Sequence, residues 1–143
     1  MYHYTESGLR NVWLANGYKV RTVGGEDAVA IHDVDQLHRA IGRSLAHKPY
    51  LTGTELRFLR KEMGLSQNRL AELLGSTEQT ISLWERGRQL PKAYDRLIRV
   101  IYLEKLDGNV KIREMIDRLI DLDEKDPGKI IFEDTNTGWR EAA

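Results

Sequence analysis

The chain has 143 residues, 41% apolar and 31% charged, which excludes a mostly disordered polymer, and no apolar run approaches the roughly 20 residues that span a bilayer. It has no cysteine, which removes disulfides, cysteine-based zinc sites and thiol chemistry together. The net charge is zero, which taken alone argues against a polyanionic partner, but Lys and Arg outnumber Asp and Glu by 10 to 7 from Thr52 to Lys105 and are outnumbered 6 to 10 from Leu106 onward. The opening MYHYTESGLRNVW has neither a basic start nor an apolar block, so no secretory signal and a cytoplasmic location are expected.

Val12-Trp13-Leu14, Tyr18 to Val23 and Ala28 to Ile31 are short runs rich in β-branched and aromatic residues, separated by Asn16-Gly17 and Gly24-Gly25. Asn-Gly supplies the two positive-φ positions of a tight hairpin turn, so the pattern predicts an antiparallel three-stranded meander. Asp33 is placed to cap a helix, with Gln36 as its reciprocal partner. Val34, Leu37, Ala40, Ile41 and Leu45 recur at helical spacing, which predicts a helix over 34–46 lying across the meander. A unit of about 50 residues has a small core and calls for help from another domain or subunit.

The polar stretch His47-Lys48-Pro49-Tyr50 contains a proline that cannot continue a helix, and a domain boundary is placed there. Thr52 and Glu55 form a capping box for a helix carrying Leu56, Leu59 and Met63, which Gly64 ends. Ser66 caps a second helix with Leu70, Leu73 and Leu74 facing inward and Ala71 at a close crossing; Gly75 ends it. Ser76 or Thr77 caps a third, in which only Ile81 and Trp84 are placed to pack inward, leaving Glu78, Gln79, Ser82 and Leu83 outside. A fourth stripe follows in Tyr94, Leu97, Ile98, Ile101 and Tyr102. Beyond Asp107-Gly108-Asn109, an amphipathic helix is expected over Val110 to Leu122, then a short strand at Lys129 to Phe132. The segments are therefore 1–48, 51–105 and 106–143.

Leu65 to Gly87 resembles the helix-turn-helix of the Cro and lambda-repressor-like (XRE) regulators. The resemblance is carried by Leu-Ser-Gln opening the second helix, Ala71, Gly75, the helix Thr77 to Trp84, and Glu85-Arg86-Gly87. The frame LTGTELRFLRKEMGLSQ, the WERGRQLP segment and the helix around Asp95-Arg96-Leu97-Ile98-Arg99 further resemble the C-terminal domain of the MqsA group of antitoxin-like regulators. That group often carries a Cys-rich zinc domain in front; with no cysteine here, the zinc role is not carried over. The fold class implied is α+β and mostly α. It comprises a lambda-repressor-like five-helix domain, a small N-terminal meander plus helix, and a C-terminal amphipathic helix.

The resemblance implies that double-stranded DNA is the partner and that the third helix enters its major groove while the second sits over the backbone. Gln79 is the best base reader, since an amide donates and accepts together and so matches adenine N6 and N7. Glu78 would suit a cytosine amine or simply favour the helix N-terminus by its charge. Leu83, one turn beyond Gln79, would touch thymine methyls or belong to the core; Ser82 would reach a base or phosphate and Thr77 a phosphate. Gln67 would bond phosphate or brace the reading helix. Arg86 and Arg88 are placed for phosphate contacts that set register. Glu85 is read as an internal ion pair with Arg57 or Arg60.

His32, Asp33 and His38 lack a third partner at a recognised spacing, so no metal or cofactor is expected, and no nucleophile or phosphate-loop motif suggests an enzyme. One helix-turn-helix covers few base pairs, so a homodimer on two half-sites is expected. The helix from Val110 to Leu122 is the candidate interface, and the strand at Lys129 to Phe132 would pair with the chain's own strands or another subunit's; the N-terminal meander is a second candidate. Two function classes remain: a sequence-specific transcriptional regulator, as a repressor, or an antitoxin-like protein whose main partner is a toxin and which also binds its own DNA.

Overall fold

The computed structural model describes residues 1–107 and 128–142. The chain divides into two compact units, Met1–Ile41 with Gly128–Ala143, and Gly42–Pro127. The described part of the second unit is helical. The fold is α+β, with five α-helices and six strands among the described residues. The helix expected over Val110 to Leu122 lies outside the described residues.

The first unit begins with β1 (Tyr2–His3), β2 (Val12–Leu14), β3 (Tyr18–Val23) and β4 (Glu26–Ile31), and ends with β5 (Ile130–Thr135) and β6 (Gly138–Glu141). The three-stranded meander does not form. A four-stranded sheet runs in the order β1-β2-β5-β6, and β3 pairs only with β4 in a separate ribbon. β2 lies antiparallel to β1 and parallel to β5, with Val12 opposite Ile130 and Leu14 opposite Phe132. Both edges of β2 are thereby occupied, so Asn16-Gly17 cannot fold β3 back onto it.

Asn16 instead replaces a ladder pair with its side chain. Its amide donates to the Asp134 carbonyl at 3.2 Å and accepts from the Asp134 N–H at 2.5 Å. Gly17, at φ 77°, sits where a Cβ would come within 2.5 Å of the Trp139 ring, so the corner requires glycine for space as well as for backbone angle. The tight turn belongs to Gly24-Gly25, both at positive φ, which joins β3 to β4 with Val23 opposite Glu26. The strand at Lys129 to Phe132 is present as β5 and is paired on both sides within its own chain.

Helix α1 (Val34–Ala46) follows. The Asp33 carboxylate accepts from the Gln36 N–H at 3.3 Å. The reciprocal half of the expected cap is absent, because the Gln36 amide is bonded to the backbone of Trp139, donating to its carbonyl at 3.0 Å and accepting from its N–H. Val12, Leu14, Leu37, Ile41 and Phe132 are buried in this unit. Of the two histidines considered as ligands, His38 Nε2 shares a 2.8 Å hydrogen bond with the Tyr4 hydroxyl, and the exposed His32 lies 3.8 Å from the Asp134 carboxylate.

In the second unit the end of α1 is followed by α2 (Gly53–Glu62), α3 (Gln67–Leu74), α4 (Glu78–Glu85) and α5 (Lys92–Asp107). Leu56, Leu59, Leu70, Ile81 and Ile98 are fully buried. Within the polar stretch 47–50, Lys48 belongs to this core and Tyr50 is exposed. Lys48 is only 7% exposed and ion-paired with the buried Glu55, and Arg99, 1% exposed, donates to the Lys48 carbonyl and pairs with Asp95. Asp95 in turn accepts from the Leu51 N–H at 2.8 Å.

Two inward assignments are overturned: Leu73 is 52% and Leu97 42% exposed. In α3 the buried face is Leu70, Ala71 and Leu74, and in α5 it runs through Asp95, Ile98, Arg99 and Tyr102, turned away from Leu97 by the charged pair it must enclose. Arg43 and Asp107 join the last turns of α1 and α5 through two bonds of 2.9 and 2.8 Å, which raise the pKa of the guanidinium.

Candidate nucleic-acid interface

Helices α3 and α4 are short, and each is begun by a hydroxyl. The Ser66 Oγ accepts from the Arg69 N–H at 3.0 Å, and the Thr77 Oγ1 from the Thr80 N–H at 3.2 Å. Between them Gly75, at φ 67°, closes α3, and the Ser76 N–H reaches back to the Ala71 carbonyl at 2.9 Å. The turn is therefore fixed by a backbone bond at the end of α3 and by the Thr77 hydroxyl at the start of α4.

The inner face of α4 consists of Ile81, fully buried, and Trp84, whose ring lies 5.0 Å from that of Tyr94 on α5 at 45°. At its C-terminus the Glu85 carboxylate accepts from Arg60 Nε at 2.7 Å and from a terminal nitrogen at 2.9 Å, while the other terminal nitrogen of Arg60 donates to the Leu65 carbonyl at 3.0 Å. One planar guanidinium thus ties α2 and the segment before α3 to the end of α4. The start of α2 also approaches α4 closely. A Cβ on Gly53 would lie 2.5 Å from the Trp84 carbonyl oxygen and 2.6 Å from that of Glu85.

With the helix held so, Gln67, Glu78, Gln79, Ser82, Leu83 and Arg86 line one shallow concavity on the surface of α3 and α4. Six of the eight side chains nominated from sequence are brought together. Gln67 bridges inward as well as outward, since its amide donates to Glu85 at 3.2 Å and so braces the arginine clamp. Leu83 lies in the concavity and outside the core. The Arg86 Nε donates to the Ser82 carbonyl at 3.3 Å.

The other two are placed apart. The Thr77 hydroxyl is engaged in capping and lies 2.8 Å from that of Thr80. Arg88 lines a second cavity, between the start of α2 and the loop after α4. Its N–H bonds the Leu83 carbonyl at 3.0 Å, so its backbone remains joined to α4.

Residues 56–94 match the helix-turn-helix family model. The match begins in α2, takes in α3 and α4 and ends in the first turn of α5. Comparison with curated proteins and with solved structures finds no match. No described helix is long and apolar enough to cross a membrane. Of the residues that shape the helix-turn-helix, Gly53 and Tyr94 were not singled out from sequence for their contacts. A helix-starting glycine has no periodic signature, and Tyr94 reads as one apolar residue among several.

Proposed function

We propose that this chain is a sequence-specific transcriptional regulator, a non-enzymatic repressor that binds a palindromic operator as a homodimer with α4 in the major groove. The observation that carries the reading is the shared concavity of Gln67, Glu78, Gln79, Ser82, Leu83 and Arg86 on the segment matched by the helix-turn-helix family model. Side chains able to donate, accept and touch a methyl stand there on one exposed face, and each has a counterpart on a base edge or a phosphate. In this reading Gln79 reads adenine, Leu83 meets thymine methyls, Glu78 accepts from a cytosine amine, and Arg86, Arg88 and Thr77 set register on the backbone.

Selection of duplexes from a random pool by the full-length chain tests it. The expected product is a palindrome whose half-sites are about 10 base pairs apart, bound by two protomers. Recovery of no enriched sequence by folded protein would refute the reading.

A further inference from the structure

The cavity that holds Arg88 is formed by three stretches of the helical unit: Pro49 to Gly53 leading into α2, Gly87 to Leu90 after α4, and the first turns of α5. Its volume is about 510 Å³, within the range of small-molecule sites, which runs from about 300 to 1,000 Å³. Its apolar wall comprises Pro49, Tyr50, Leu51 and Leu90, and its charged lining comprises Arg88, Lys92 and Arg96 against the single carboxylate of Asp95. That carboxylate is engaged, accepting from the Leu51 N–H and pairing with the buried Arg99. The lining residues carry three cations to one carboxylate, with a flat aromatic at the edge: Tyr50 is 52% exposed.

We infer that this cavity is an effector site for a small aromatic carboxylate, and that its occupant opposes DNA binding. The ring of such a ligand replaces water against Tyr50, Leu51 and Leu90, and its carboxylate meets the Arg88 guanidinium. The antagonism rests on the function proposed above, in which Arg88 contacts a phosphate. A carboxylate held beside Arg88 competes for the same guanidinium, and linkage makes the effect reciprocal. The loop that carries Arg88 is bonded to α4 through the Gly87 N–H to Trp84 carbonyl contact of 3.1 Å, so the occupant acts next to the reading helix.

Titration of the full-length chain with 2-naphthoate, followed by amide chemical shifts, tests the site without DNA. Saturable shifts are expected at Leu51, Gly53, Gly87 and Leu90, with 2-naphthamide at least about tenfold weaker, the equivalent of roughly 1.4 kcal/mol. Leu90→Trp, which fills the cavity, and Lys92→Glu, which reverses a cation at its rim, should each weaken 2-naphthoate by a similar factor. Absence of saturable shifts in the wild type, equal binding of the amide, or equal shifts with inorganic phosphate overturns the site, the last by reducing it to a phosphate-contact patch.

A second arm measures affinity for the selected duplex. 2-Naphthoate should lower it several-fold in the wild type and not in Leu90→Trp; binding without any such effect overturns the antagonism. If 2-naphthoate binds but no duplex is preferred, the regulator reading fails while the site stands.

Discussion

The Glu85 carboxylate accepts both bonds from a guanidinium that is itself buried, so its removal leaves Arg60 charged and unpaired inside the helical unit. Breaking one side of a buried pair costs about 3–5 kcal/mol. Glu85→Ala should lower stability by that order in urea unfolding, and the double change with Arg60→Met should recover part of it. Gln79 is the opposite case, exposed and lining the concavity. Gln79→Ala should leave the thermal midpoint unchanged and cost about 1–3 kcal/mol of discrimination at one base pair, read as relaxed preference in competition binding. The internal role of Glu85 was legible because a carboxylate at the end of a helix read as entering a DNA groove would be unfavourable next to phosphates. The choice between Arg57 and Arg60 was not, because it depends on which face of α2 turns towards α4.

Among the elements, α4 is positioned as much by a missing side chain as by those present. Gly53→Ala puts a methyl against two fixed backbone carbonyls, so α4 must move away from α2. The expected cost is about 1–3 kcal/mol, with weakened DNA binding. Gly75→Ala tests the other use of glycine: nothing lies within 4 Å of its added Cβ, but its φ is 67°. That change should cost about 1–2 kcal/mol from backbone strain and leave the concavity intact, separable from Gly53→Ala by duplex affinity at a temperature where both are folded. The helix starts were legible from Thr52, Ser66 and the Ser76-Thr77 pair, of which Thr77 is the cap, since a hydroxyl before an apolar period satisfies an orphan N–H locally. The rotation of α5 was not. Its buried face includes Asp95 and Arg99, and a periodicity search that counts only apolar residues assigns Leu97 inward in their place.

Across the chain, the first unit is discontinuous in sequence, with β5 and β6 returning to the sheet begun by β1 and β2 after the whole helical unit has intervened. Phe132 on β5 is fully buried opposite Leu14. Phe132→Ala should cost the sheet about 3–5 kcal/mol, seen as faster amide exchange at Val12 and Leu14 on β2. The same experiment checks the parallel pairing, because a free-standing meander of residues 12–31 would be insensitive to a change at residue 132.

By itself the sequence determined the elements whose causes are local. The caps at Thr52, Ser66 and the Ser76-Thr77 pair, the stops at Gly64 and Gly75, and the α4 pattern that leaves Gln79, Ser82 and Leu83 outside are all set within a few residues of chain. That is why six side chains that share the concavity on α3 and α4 could be named before any contact was known. The tertiary structure decided what depends on distant partners. It took both edges of β2 for β1 and β5, turned Asn16 into a side-chain substitute for a strand residue, and buried Lys48 and Arg99 against Glu55 and Asp95. It also placed Arg88 in a cavity apart from the concavity on α3 and α4. Hydrogen bonds and ion pairs between residues far apart in the chain leave no period in the sequence, and they fixed the sheet order and the charged core.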